Sequence, residues 1–241
     1  MTGAAVHLIT GASSGVGALL ATRLASQGHT VVAVARSADK LAAVAATAPA
    51  GRIITLVQDV SDWEAAAAAV ARIEKNVGPI SVLVNNAAIC DMRPFDQQDV
   101  PTIRRMLATN IDGTIAWTHA VVPFLKGRKA GRIVNVASVA GIHGMPNQAV
   151  YCASKHAMLG LSDALTQELL PFGIAVSAIC PGGIDTPLWQ HAGNPDGVKY
   201  PGDISKIMQP LEVVEQIEFL LSRPLSSVYR RVVFFPANEW H

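Results

Sequence analysis

Cysteine is scarce in this chain, with three among 241 residues, at positions 90, 152 and 180. The count is odd and no two form a C-x-x-C pair, so neither a disulfide framework nor a zinc site is expected. Cys90, Cys152 and Cys180 are expected to be buried or half-buried thiols. Cys152 follows Tyr151, but helical neighbours point about 100° apart, which argues against a nucleophile there. Excess charge of one sign is also missing. Nineteen Lys+Arg against eighteen Asp+Glu leave a formal net charge of +1, with no general pull on nucleic acid or anionic membrane. Long hydrophobic runs are absent as well. No stretch of about 18 apolar residues occurs, and no basic segment followed by an apolar one opens the chain. The expectation is a soluble, cytoplasmic protein without nucleic-acid, membrane or metal partners.

What is present is a large supply of core. Half of the residues are hydrophobic, many of them alanine, which suits closely packed helices. The length fits one large α/β domain.

Apolar runs and helical stretches alternate along the chain. Residues 6–10 (Val-His-Leu-Ile-Thr) read as a first strand, followed by Gly11-Ala-Ser13-Ser14-Gly15-Val16-Gly17 and a helix that Gly28 ends. A strand, a glycine turn and a helix start form an anion site, because backbone N–H groups and the helix dipole face a phosphate. The spacing is G-x-x-x-G-x-G rather than G-x-G-x-x-G. Residues 30–35 form a second, buried strand ending at Arg36 and Ser37, with a helix over 38–46. Residues 52–57 form a third strand ending at Asp59 and Val60. Ser61-Asp-Trp-Glu64 reads as an S-x-x-E capping box before a helix over 65–77. Residues 80–84 are a fourth strand leading to Asn85 and Asn86. A long helix is expected from 99 to about 124, with Asn110 in its middle. Asn is a poor helix-interior residue, so its side chain bonds outward or its carbonyl is freed at a kink. Lys126, Arg128 and Lys129 are positive charge at a helix end or a contact for an acidic carrier. Residues 132–137 are a fifth strand, 150–170 a helix, and 174–180 a sixth strand. The loop over about 187–209 is long enough to be functional, as a substrate lid. A helix over 210–221 and a seventh strand over 231–235 complete the chain.

This alternation predicts parallel strands with right-handed crossovers. Ligands on such sheets bind beyond the carboxyl ends of the strands. Residues 11–17, Arg36, Asp59, Asn85 and Asn86 all fall there, and that coincidence points to a dinucleotide site. An acid at the end of the second strand would take a ribose 2′-hydroxyl and repel a 2′-phosphate. Ala35 stands there instead, with Arg36 and Ser37 next, and Asp39 is the one acid nearby. A guanidinium can grip a phosphate bidentately, so NADP is expected over NAD, with NAD possible.

Tyr151 and Lys155 lie at i and i+4, on one helix face. A phenol titrates near ~10 and needs help to act as an acid/base at neutral pH. A nearby ammonium favours the phenolate and is expected to lower that pKa. Ser138 can hold a carbonyl oxygen within reach of the phenol. The three suit proton transfer to or from a carbonyl/alcohol oxygen.

Together these segments resemble the short-chain dehydrogenase/reductase family. Thr10-Gly11-Ala-Ser13-Ser14-Gly15-Val16-Gly17 is similar to its cofactor loop, Asp59-Val60 to its adenine contact, and Asn85-Asn86-Ala87-Ala88 to its N-N-A-G segment. Asn110, Ser138, Tyr151 and Lys155 are similar to its catalytic tetrad. Pro181-Gly182 through Ile184 to Thr186 is similar to its nicotinamide-side loop. The resemblance implies a single Rossmann-type domain spanning 1–241, an α/β doubly wound sheet of seven parallel strands with helices on both faces. It implies an NADP-dependent oxidoreductase with Tyr151 as general acid/base. Ser138 would orient the oxygen, Lys155 would tune Tyr151 and hold the nicotinamide ribose, and Asn110 would anchor a water. It also implies a homo-oligomer, tetramer or dimer.

Cys90, Met92, His143, Met145, Trp189 and His191 are candidate walls for a small-molecule carbonyl or alcohol substrate, apolar and of medium size. The ending Phe234-Phe-Pro-Ala-Asn-Glu-Trp-His241 differs from the glycine-rich ending of ketoacyl-carrier-protein reductases. It resembles the 3-hydroxy-acid dehydrogenase branch, whose ends pack at subunit contacts. The competing readings are a 3-ketoacyl (carrier-bound) reductase and a cofactor-binding regulatory protein without turnover.

Overall fold

Five near-continuous apolar segments form the middle of a parallel sheet, as strands covered on both faces require. The structure, a computed structural model, describes residues 5–188 and 206–237. The strands are β1 (Val6–Thr10), β2 (Thr30–Ala35), β3 (Ile53–Val57), β4 (Ile80–Asn85), β5 (Gly131–Val136), β6 (Ile174–Pro181) and β7 (Arg231–Phe234). The helices are α1 (Gly15–Ser26), α2 (Ala38–Ala46), α3 (Trp63–Asn76), α4 (Val100–Leu107), α5 (Gly113–Arg128), α6 (Ala149–Leu169) and α7 (Pro210–Ser222). The seven strands are ordered β3-β2-β1-β4-β5-β6-β7, every neighbouring pair parallel. The doubly wound, single-domain Rossmann-type fold expected from the sequence is the fold observed. The order turns back between β1 and β4, and the loops leaving those strands separate there. That divergence opens a crevice at the carboxyl edge of the sheet.

Each face of the sheet carries its own core. Leu20, Leu24, Leu41, Val214 and Ile217 of α1, α2 and α7 pack with Ile9, Val31 and Val84 on one side. Val70, Ile73, Trp117, Val121 and Leu125 of α3 and α5 pack with Leu8, Leu83 and Ile133 on the other. Edge strand β7 alternates in exposure and edge strand β3 is largely exposed after Ile53, since one flank and part of one face meet solvent.

Three local expectations change. The S-x-x-E box does not form. Helix α3 starts one residue later than such a box requires, with Asp62 as its cap and Oδ1 accepting from Ala65 N at 2.9 Å. A carboxylate at a helix N-terminus gains from the dipole as well as the bond, and Ser61 is drawn to Asp59 instead. The long helix over 99–124 is two helices, α4 and α5, joined by a π-helical turn at Ala108–Asp112 and running on to Arg128. Asn110 sits at that turn, and its side chain bonds outward, to Ile89 and Ser154. Lys126 and Arg128 form the last turn of α5, at the amino edge of the sheet, opposite the crevice. Arg128 is paired with Glu74 at 2.8 Å and the Lys126 ammonium lies 4.1 Å over the Phe172 ring. Their position and partners leave the acidic-carrier reading without support.

The ends of the 187–209 loop are pinned to one another. Asp185 N donates to Met208 O at 2.8 Å and Met208 N to Gly183 O at 3.1 Å. Residues 189–205, with Trp189 and His191, lie outside the described residues, as do 238–241. The lid and the subunit-contact expectations fall there. Among the described residues no helix is long and apolar enough to cross a membrane, and the three cysteines are free and buried.

Candidate active site

The loops leaving the strands at the carboxyl edge enclose one cleft of about 630 Å³. Ala35, Arg36, Ser37, Asp59 and Val60 line one end, beyond β2 and β3. Gly11, Ser13, Ser14, Gly15 and Val16 form its middle with Asn86. Ser138, Tyr151, Lys155, Pro181, Gly182, Ile184 and Thr186 lie toward the other end, with Cys90, Met92 and Met145.

The middle is built to accept an anion. Gly11 and Gly15 take positive φ, 65° and 53°, which a side chain would strain. Ser14 caps α1 with its backbone only; its hydroxyl makes no cap bond and no acid sits in the first turn. The first N–H groups of a twelve-residue helix therefore face the cleft. Gly17 is a correction: it does not line the cleft. An added Cβ there would run into Gly11 O and lie 2.5 Å from Asn86 Nδ2. Its lack of a side chain lets α1 close onto the loop after β4. Asn86 completes that closure, its Nδ2 donating to Thr10 O and Gly11 O at 3.1 Å each. Asn85 faces away from the cleft, donating to Thr118 Oγ1 at 2.9 Å and Asn135 Oδ1 at 2.8 Å.

At the β2 end, Arg36 is 60% exposed, and its Nη1 lies 4.0 Å from Asp59 Oδ2. Burial works to raise the Asp59 carboxyl. The Ser61 N–H and hydroxyl, with Arg36 behind them, outweigh it and hold the carboxyl below its ordinary range. Ser37 caps α2, accepting from Lys40 N at 3.4 Å. Lys40, missed in the sequence reading, lines this end too. Its signal was the i+4 spacing from Arg36.

At the far end, Tyr151 and Lys155 are both buried, at 7% and 1% exposure. The ammonium donates to Val136 O at 2.8 Å and lies 5.6 Å from the Tyr151 ring centroid. The Ser138 hydroxyl donates to Pro181 O at 3.5 Å and accepts from Ala140 N at 3.1 Å, and its interaction with the Tyr151 phenol favours the ionised form. The expected lowering of the phenol is not what the protein's own groups produce. Burial pushes Tyr151 well above its ordinary value, Cys90 and Cys152 add to that, and only the Ser138 bond opposes. Burial also brings Lys155 down to about 8. Tyr151 thus holds its proton at neutral pH.

Asn110 is fully buried beside the cleft rather than in its wall. Its Oδ1 accepts from Ile89 N at 2.8 Å, and its Nδ2 donates to Ile89 O at 2.9 Å and Ser154 Oγ at 3.0 Å. It ties the loop after β4 to α6, on the turn between Tyr151 and Lys155. Its carbonyl accepts from Thr114 Oγ1 at 2.9 Å. His143 is exposed and is not among the described residues that line the cleft. Gln148 was also missed. It lines the cleft three residues before Tyr151, buried, as a helix cap whose side chain makes no cap bond.

A profile of the short chain dehydrogenase family matches residues 5–196 of this chain. An acetoacetyl-CoA reductase of Paracoccus denitrificans is 37% identical over 222 residues, covering 91% of each chain. A 3beta-hydroxysteroid dehydrogenase of Mediterraneibacter gnavus is 37% identical over 78% of this chain and 68% of its own length. Among solved structures, the closed form of a serine dehydrogenase complexed with NADP+ superposes with a TM-score of 0.90 at 25% identity, over 98% of this chain and 96% of that one.

Proposed function

We infer that this chain, which belongs to the short chain dehydrogenase family, is an NADP-dependent oxidoreductase interconverting an uncharged ketone or aldehyde and its alcohol. One observation carries the reading. Tyr151, Ser138 and Lys155 meet at one end of a cleft whose other end presents Arg36 and Lys40, with a glycine-lined helix N-terminus between them. That cleft fits an extended dinucleotide. The glycine turn and the first N–H groups of α1 would hold the pyrophosphate. Arg36, Ser37 and Lys40 would hold the 2′-phosphate, and Asp59 and Val60 would border the adenine. Lys155 and the 181–186 segment would hold the nicotinamide side. NADP complexed with the serine dehydrogenase neighbour supports the same choice.

When bound, NADPH supplies hydride to the carbonyl carbon. Ser138 donates a hydrogen bond to the carbonyl oxygen and fixes it beside the phenol. Tyr151 gives its proton to that oxygen as the alcohol forms; its raised pKa keeps the proton available at neutral pH. Lys155, with a pKa near 8, is suited to replace that proton. The Asn110 carbonyl keeps a second lone pair for a water.

Beyond Tyr151 the described wall is Ile89, Cys90, Met92, Met145 and Leu188, with Gln148 as a polar member. This supports a medium-sized free ketone over a carrier-bound ketoacyl group, in line with the steroid-dehydrogenase relative. An assembly of two or four copies is supported by the exposed Phe219 of α7, Val233 of β7, and Leu225 and Tyr229 of the segment between them. The three free thiols support a reducing, cytoplasmic setting. The test follows NADPH absorbance across a panel of free ketones, ketoacids and ketoacyl thioesters. Turnover greatest on apolar free ketones is expected. No carbonyl-dependent oxidation on any of them would overturn the oxidoreductase reading.

A further inference from the structure

Met92 stands between an acid and a base, Asp91 and Arg93, and the two are joined around it. Asp91 is 1% exposed. Its Oδ1 accepts from Arg93 N at 2.9 Å, closing an Asx turn with Met92 at its tip. The same carboxylate takes the Arg93 fork, with Nε 3.1 Å from Oδ1 and 3.0 Å from Oδ2, and Nη2 on Oδ2. Arg93 Nη2 also reaches Asp99 Oδ2 at 3.0 Å. Asp99 is the cap of α4, its Oδ1 accepting from Thr102 N at 2.8 Å. Gln98 closes the ring, its Nε2 donating to Arg93 O at 2.9 Å. The segment between β4 and α4 is therefore tied at both ends by one guanidinium. The segment carries Cys90 and Met92, each 5% exposed and each part of the cleft wall beyond Tyr151. Asn110 anchors Ile89 on the other side of Cys90.

We propose that Arg93 is a positioning residue for the substrate end of the cleft. By clamping Asp91 to the start of α4, it holds Cys90 and Met92 in place and sets which carbonyl compounds fit. Its kinetic consequences rest on the oxidoreductase reading above; its geometric consequence does not. The hydrogen bonds to Asp91 and Asp99 raise the guanidinium further above its ordinary value. The Thr102 N–H, and then Arg93, bring Asp99 down to about 2. Arg93 and Asp99 thus both stay charged throughout the working pH range. A planar fork spans both oxygens of Asp91 and still reaches Asp99, which a lysine ammonium cannot do.

The test uses the full chain and two readouts. Alkylation of Cys90 by iodoacetamide, followed by peptide mass spectrometry, reports the wall without cofactor or turnover. Arg93→Ala is expected to speed Cys90 labelling by at least about 10-fold while Cys180 labelling stays unchanged. In steady-state assays, KM for the largest ketone accepted is expected to rise about 10-fold, with kcat on the smallest ketone and KM for NADPH within about 3-fold of wild type. Arg93→Lys is expected to recover part of both effects. Asp99→Asn keeps the helix cap but drops the charge, and is expected to move both readouts by about 3-fold. These two variants serve if Arg93→Ala fails to fold. Unchanged Cys90 labelling, or an equal loss on every ketone and on NADPH, overturns the proposal. If the wild type turns over no carbonyl compound, the oxidoreductase reading fails and the labelling alone decides the clamp.

Discussion

A lysine 1% exposed beside a buried phenol is costly to the fold that carries it. Lys155 has a folded pKa of about 8 against an ordinary 10.5, and burial is the first cause. Below pH 8 the native state must hold a charge that its surroundings disfavour. Between about 8 and 10.5 the unfolded chain binds a proton that the native chain has released, so stability from this group rises with pH across that window. Lys155→Met is therefore expected to be more stable than wild type at pH 7 without cofactor, on the order of 1–3 kcal/mol, while losing turnover. The advantage should shrink as pH rises from about 8 to 10.5. Denaturant melts at pH 7 and pH 10 check this, and a variant less stable at pH 7 would show that the bond to Val136 O outweighs burial. Tyr151 carries the chemical step itself. Tyr151→Phe should leave NADPH binding intact and lower turnover by about 10²–10⁴-fold or more. Retention of over a tenth of wild-type turnover would rule out its role as proton donor.

Two elements decide whether those residues meet. The first is the N-terminus of α1, seated against the loop after β4 because Gly17 has no side chain. Gly17→Ala would force a methyl against Gly11 O and Asn86 Nδ2. The expected cost is about 1–3 kcal/mol of stability, with a KM for NADPH raised at least about 10-fold, since the anion-binding turn shifts with it. Urea unfolding and cofactor titration measure the two effects, and wild-type values in both would show that the contact relaxes freely. The second is the π turn between α4 and α5. It places Asn110 where one side chain ties the loop after β4 to α6. A straight helix over the same residues would not leave this register.

The cleft as a whole is polarised, with Arg36 and Lys40 at one end and, past the buried Lys155, a wall without charged side chains at the other among the described residues. That polarity sets the cofactor. NADPH is expected over NADH by at least ~10-fold in kcat/KM, from phosphate contacts of about 1.5–3 kcal/mol. Arg36→Ala should erase most of the preference through KM, and Lys40→Ala a smaller part. Equal turnover with NADH at matched concentration would show that the β2 end grips no phosphate.

Much of this was legible in the sequence because it is local. Apolar runs alternating with helical stretches determine parallel strands, since a strand buried on both faces needs apolar residues throughout. The i, i+4 spacing of Tyr151 and Lys155 and the glycines after β1 are likewise short-range signals, and Tyr151, Lys155, Gly11 and Gly15 all line the cleft. The cap of α3 was misplaced by one residue because two acceptors, Ser61 and Asp62, competed and only the fold decided which reached Ala65 N. Tertiary structure alone decided the rest. It buried Tyr151 deeply enough that desolvation raised the phenol, with only Ser138 opposing. It left His143 exposed and brought Lys40 and Gln148 to the cleft. It also joined Arg93 to Asp91 and Asp99 around Met92. Burial, orientation and the pairing of charges depend on what the other strands and helices place alongside, and no window of sequence contains that.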